Sequence, residues 1–112
     1  MKKINIVKEK KDFDKAFKQR NQISSKYAYI YIKENDINNY RFGICVSKKM
    51  GKAVLRNKIK RRVKDIIDKS ELQFLNKDYI IVLKKSASSA EYFELKEDLV
   101  GVLKKIIDRR NS

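Results

Sequence analysis

The chain has 112 residues, 29 Lys and Arg against 14 Asp and Glu, and no His, Pro or Trp. That length suits one domain spanning 1–112 with one core, and 42% hydrophobic residues with 11 Phe and Tyr can build it, which excludes a wholly disordered chain. With no His and a single Cys there is no imidazole base, no Cys-His dyad and no zinc cluster, and a net charge of +15 calls for a polyanionic partner, either nucleic acid or an anionic membrane surface.

Cys45, the lone thiol in an apolar strand-like stretch, cannot form an internal disulfide, which fits a reducing cytosol. The start of the chain lacks the apolar run of a signal peptide, and no stretch approaches the roughly 18 apolar residues of a membrane span. A soluble, intracellular (cytoplasmic) protein is expected.

Taken in order, Ile4–Val7 suggests a short strand, and Asp12 is positioned to cap a helix carrying Phe13, Ala16 and Phe17 on one stripe, ending near Arg20 and Asn21. Residues 27–32 alternate strictly, with Tyr27, Tyr29 and Tyr31 on one face of a strand and Ala28, Ile30 and Ile32 on the other. The polar run 34–39 suggests a hairpin loop into a second strand, where Tyr40, Phe42, Ile44 and Val46 alternate with Arg41, Gly43, Cys45 and Ser47. If these two strands pair, their tyrosines face the small residues across a shallow trough.

Between about Ala53 and Lys69, Leu55, Ile59, Val63, Ile66 and Ile67 recur at helical spacing, which predicts an amphipathic helix with one cationic face. Residues 78–84 form a β-branched apolar run suited to a buried strand. Ser88 and Glu91 match a capping box opening a last helix, packed through Tyr92, Leu99, Leu103 and Ile106. The order argues for an α+β sandwich around one mixed sheet.

Charge is concentrated. Lys48, Lys49, Lys52, Arg56, Lys58, Lys60, Arg61, Arg62 and Lys64 supply nine cations within 17 residues that contain no acid. A merely solvated helix face mixes Glu with Lys at i, i+4, whereas Arg56 with Lys60 and Lys60 with Lys64 are repelling pairs. Such a face suits phosphates, and Asn57 among the cations can donate to a phosphate or a 2′-hydroxyl, or make local hydrogen bonds in the first turns. Gly51-Lys52 is not a P-loop, because Val46 stands where that motif needs Gly and Ala53 where it needs Ser or Thr. Phe13, Phe17 and Tyr31 are either core residues or faces on which unpaired bases stack beside the cations. Cys45 fits a small buried residue better than a reactive thiol.

The run from Phe42 to Arg62, FGICVSKKMGKAVLRNKIKRR, closely resembles the signature of the bacterial ribonuclease P protein family. There a strand ending in Ser-Lys-Lys leads through Gly-x-Ala-Val to an Arg-Asn-Arg helix. The Asp12–Phe17 motif, the Tyr-bearing strand, Lys-Asp-Tyr-Ile-Ile-Val at 77–82 and a closing helix follow the same order. The resemblance implies a four-stranded α/β sandwich with the basic helix in a left-handed crossover, like the second domain of a small-subunit ribosomal protein. It also implies a small subunit that assists a catalytic RNA, with Mg²⁺ held mainly by RNA and substrate, in removing the 5′ leader of precursor tRNA. No organic cofactor and no obligate protein partner are implied. Carried over by position, Lys48, Lys49, Lys52, Arg56, Asn57, Lys58, Lys60, Arg61, Arg62 and Lys64 face the ribozyme RNA, and Phe13, Phe17 and Tyr31 line the cleft for the leader. Lys58 departs from the family's third motif Arg, keeping the charge but losing the planar fork. The segment before the first helix is short. A ribosomal-type or general RNA-chaperone protein is the alternative of a different class. A membrane-surface role is disfavoured by the lack of bulky aromatics on the basic helix, and a stand-alone nuclease by the lack of His and of a compact carboxylate cluster.

Overall fold

The computed structural model describes residues 1–111, with side chains through residue 109. Three helices, α1 (Lys10–Gln19), α2 (Ala53–Lys69) and α3 (Tyr92–Asn111), accompany four strands, β1 (Gln22–Ser24), β2 (Ala28–Glu34), β3 (Arg41–Cys45) and β4 (Lys77–Leu83). The sheet order is β1-β2-β4-β3, with β2 antiparallel to β4 and β3 parallel to it. α2 is the crossover between the parallel pair, and the mixed four-stranded α+β architecture is the expected one.

The predicted hairpin is not formed. β4 lies between β2 and β3, and the reason is compositional. Tyr79, Ile80 and Ile81 are all fully buried, so β4 needs cover on both faces and neighbours on both edges, whereas alternating β2 and Gly-bearing β3 can flank it. One sheet face packs Ile30, Ile32, Phe42, Tyr79 and Ile81 against Ile59, Val63 and Ile66 of α2 and Leu95, Leu99 and Leu103 of α3. The other face carries a smaller core of Val7, Ala16 and Ile80 under α1.

Four local expectations are corrected. Residues Lys3–Asn5 form a 3-10 turn, not a strand, and only Ile6 bridges to Phe42, with the Val7 N–H donating to the Phe42 carbonyl at 2.9 Å. Glu9, not Asp12, precedes α1 as its cap residue. Asp12 sits in the first turn and faces Arg41 at 3.6 Å. Tyr27 lies just before β2, buried in the main core, with its hydroxyl donating to Glu94 at 3.2 Å. Ser88 belongs to a 3-10 turn, Lys85–Ser89, that tucks Ala87 into the core, so α3 starts later and the Glu91 N–H donates to Glu94 instead. The helix end at Arg20 is as expected, and its left-handed backbone there (φ 54°) stops α1 before β1.

Candidate nucleic-acid interface

The cationic surface is built by a tight connection out of β3. Ser47 accepts a hydrogen bond from the Lys49 N–H at 3.2 Å, closing a 3-10 turn, Lys48–Met50, in which Met50 is buried and both lysines point to solvent. Gly51 follows at φ 140°, a conformation L side chains rarely adopt, and a Cβ there would also lie 2.8 Å from Leu55. Lys52 then opens α2 without a side-chain cap, and the first turn holds no acid. The positive end of the helix therefore adds to the cations around it.

Along α2, burial of Ile59, Val63, Ile66 and Ile67 fixes which side is free. Asn57, Lys58 and Arg61 are exposed, whereas Arg56, Lys60, Arg62 and Lys64 are half-buried, their stems lying along apolar surface. Val54, Asn57, Lys60, Arg61 and Lys64 line a shallow depression. None of the nine cations is ion-paired among the described residues. The Nε of Arg56 is buried with no hydrogen-bond partner among the described residues, an unmet donor. Asn57 does not make the local hydrogen bonds its position allows, since its amide bonds no described residue.

The three aromatic candidates come together on the opposite sheet face. Register places Tyr31, Ile80 and Gly43 in one row across β2, β4 and β3, and Tyr29, Val82 and Cys45 in the next. α1 crosses the first row, with Phe17 meeting Tyr31 edge to face at 4.9 Å and Phe13 seated over Gly43. All three rings are half-buried, so each is both core and surface. The second row lies beyond the helix, where Tyr29 is 38% exposed with the Lys84 ammonium 4.5 Å from its ring. Tyr29 and Tyr31 thus share a sheet face with Gly43 and Cys45, as the alternation implies, but across β4 rather than side by side, with Phe13 and Phe17 of α1 covering the Tyr31–Ile80–Gly43 row.

Tyr29 and Lys84 did not stand out as site residues in the sequence. Alternation in the strand carried the signal for Tyr29, because it shares a face with Tyr31. Lys84 reaches Tyr29 only through the β2–β4 pairing, and its ammonium is held by Ser24 Oγ at 2.7 Å and the Ser25 carbonyl at 2.6 Å.

Cys45 lies on the α1 side of the sheet and is half-buried. Burial pushes its thiol pKa up, and the charge of nearby Lys60 opposes that shift. A raised pKa favours the protonated thiol over the reactive thiolate. Among the described residues no helix is long and apolar enough to cross a membrane, and no group of three or more His, Cys, Asp or Glu could hold a metal ion.

A family model described as Ribonuclease P matches residues 1–107. The chain is 37% identical over 105 residues to the ribonuclease P protein component of Streptococcus pneumoniae, covering 93% of this chain and 85% of that one. Among solved structures, that of a Staphylococcus aureus RNase P protein mutant with defective mRNA degradation activity superposes with a TM-score of 0.85 at 31% identity, over 95% of this chain and 90% of that one. The RNase P protein from Thermotoga maritima gives a TM-score of 0.79 at 27% identity, over 88% of this chain and 94% of that one.

Proposed function

The chain belongs to the ribonuclease P protein family, and from that premise we propose how its two surfaces divide the work of the RNA-binding subunit of ribonuclease P. As the protein component of an endoribonuclease, it works with the catalytic RNA on precursor tRNA. Lys48, Lys49, Lys52, Arg56, Asn57, Lys58, Lys60, Arg61, Arg62 and Lys64 engage phosphates of the catalytic RNA. Phe13, Phe17 and Tyr31 line a cleft for the single-stranded leader, Phe13 by seating α1 on the sheet and Phe17 and Tyr31 by offering ring faces to bases, with Tyr29 and Lys84 at its outer rim.

The observation that carries this reading is the set of nine cations with no acid partner among the described residues, together with the aromatic rings gathered on the opposite sheet face. Releasing counterions from the RNA supplies affinity at the first surface. Stacking of unpaired bases, worth about 1–3 kcal/mol each, supplies it at the second. Mg²⁺ supplies the hydrolytic chemistry in the holoenzyme and is assigned to RNA and substrate phosphates. The described residues include no carboxylate set that fits it, so the chain's part is to hold the leader and to offset phosphate repulsion where RNA and substrate meet.

Reconstitution tests this reading. Added to the catalytic RNA at low Mg²⁺, the protein should raise cleavage of a precursor tRNA and tighten binding of the leader-bearing form over the mature one. If it left both unchanged, or promoted remodelling of unrelated structured RNAs to the same extent, the chaperone reading would replace this one.

A further inference from the structure

Gly43 lies in mid-β3, buried on the face that carries α1, and it is not among the residues with a positive φ. Backbone conformation therefore does not require glycine there, which leaves space as the reason. A Cβ at this position would lie 2.5 and 2.8 Å from Cε1 and Cζ of Phe13 and 2.9 Å from Cδ1 of Ile80. The Phe13 ring is thus seated on the strand backbone in the gap left by the missing side chain. At the other end of the same row, Phe17 rests against Tyr31 at 4.9 Å. α1 spans the sheet on two rings, and its height at the β3 end is fixed by Phe13 on Gly43.

We propose that Gly43 is a positioning residue for substrate, setting the height of α1 over the sheet and with it the depth of the cleft above Tyr29, Val82 and Cys45. The inference rests on the leader reading of that cleft. Phe13 serves in it as the seat of the helix, and Phe17 and Tyr31 are the rings that meet bases. Carbon atoms pack at about 3.5–4.0 Å, so a methyl at position 43 drives the Phe13 ring back by about 1 Å. The displaced atoms are the far ends of the Phe13 and Ile80 side chains rather than backbone, so the variant can fold, and the part of the shift that the Phe13 ring does not take up by turning passes to α1. Besides Phe13, α1 is held by the packing of Ala16 with Val7 and Ile80 and by the contact from Arg41 to Asp12 at 3.6 Å, and neither of these fills the space over Gly43.

The test uses the reconstituted holoenzyme and the ratio of its affinities for leader-bearing precursor and mature tRNA. Gly43→Ala should lower that ratio about fivefold or more, the loss of one weak stack, while affinity for the catalytic RNA is kept. Shortening the seated side chain as well, in the double variant F13L/G43A, should recover most of the ratio, which a merely destabilised strand would not do. A folded Gly43→Ala protein with an unchanged ratio overturns the inference if Tyr31→Ala lowers the ratio, since the cleft reading then stands alone. If Tyr31→Ala and Phe17→Ala also leave the ratio unchanged, the cleft reading itself has failed. Should Gly43→Ala not fold, recovery of folding and discrimination in the double variant supports the proposal, and a double variant lacking either overturns it.

Discussion

Two arginines divide this molecule's charge into a closed part and an open part. Arg41, at the start of β3, donates from Nε and Nη2 to the two carboxylate oxygens of Asp78 at 2.8 and 2.7 Å. Asn35 adds a third hydrogen bond to Asp78 at 2.9 Å, and Lys33 stands 3.6 Å away. Arg56 in α2 lies in a run, 48–64, that contains no acid, and its buried Nε meets no acceptor among the described residues. The first network satisfies itself and holds β2, β3 and β4 in register at one end of the sheet. The second leaves its donors open, which lowers the stability of the free chain and suits a polyanion.

Removing the centre of the closed network should have the largest effect. Asp78→Ala strands Lys33 buried without its counter-charge and leaves Arg41 only the 3.6 Å contact to Asp12, and should cost about 3–5 kcal/mol in denaturant unfolding. Burial alone would raise the Asp78 pKa, but the hydrogen bonds from Arg41 and Asn35 and the charges of Arg41 and Lys33 more than offset it and hold it below the usual carboxylate range. A depressed folded pKa contributes stability above the unfolded value of about 3.9, lost as pH falls through the folded one. The wild type should therefore lose this contribution in acid, and Asp78→Asn should flatten that part of the profile.

Arg56→Ala should behave in the opposite way. Deleting an unpaired buried donor should leave the stability of the free protein unchanged or raise it by up to about 1 kcal/mol, while binding of the catalytic RNA weakens by about 1.5–3 kcal/mol. A parallel loss of both quantities would place Arg56 in the scaffold with Arg41. Smaller still, Phe17→Ala should lower the precursor-to-mature affinity ratio by about 1 kcal/mol, at the low end for one stack, with little effect on affinity for the catalytic RNA.

The basic region was legible because its signals are local. Apolar spacing of 3.6 fixed α2 to Ala53–Lys69, and the acid-free run marked its free face without any tertiary information. The cleft was only half legible. Alternation put Tyr29 and Tyr31 on one face, but β4, the strand between them and β3, is remote in sequence, and the short loop after Glu34 resembles a hairpin. The apolar run of β4, buried on both faces, was the available cue that it belongs in the interior of the sheet. β1, three residues long with only Ile23 half-buried, carries no periodic signal. Capping expectations failed where tertiary contacts took the residues, Asp12 going to Arg41 and Ala87 into the core. The seat of Phe13 on Gly43 was invisible, since a strand glycine does not name the ring that fills its space.

The claim that the open charges of α2 form the RNA interface is tested most directly by the salt dependence of binding to the catalytic RNA. Each phosphate contact contributes about 0.7–0.9 to the slope of log affinity against log salt, so the double variant R56A/R61A should bind with a slope shallower by about 1.4–1.8 than the wild type. A folded double variant whose slope equals that of the wild type would contradict the account.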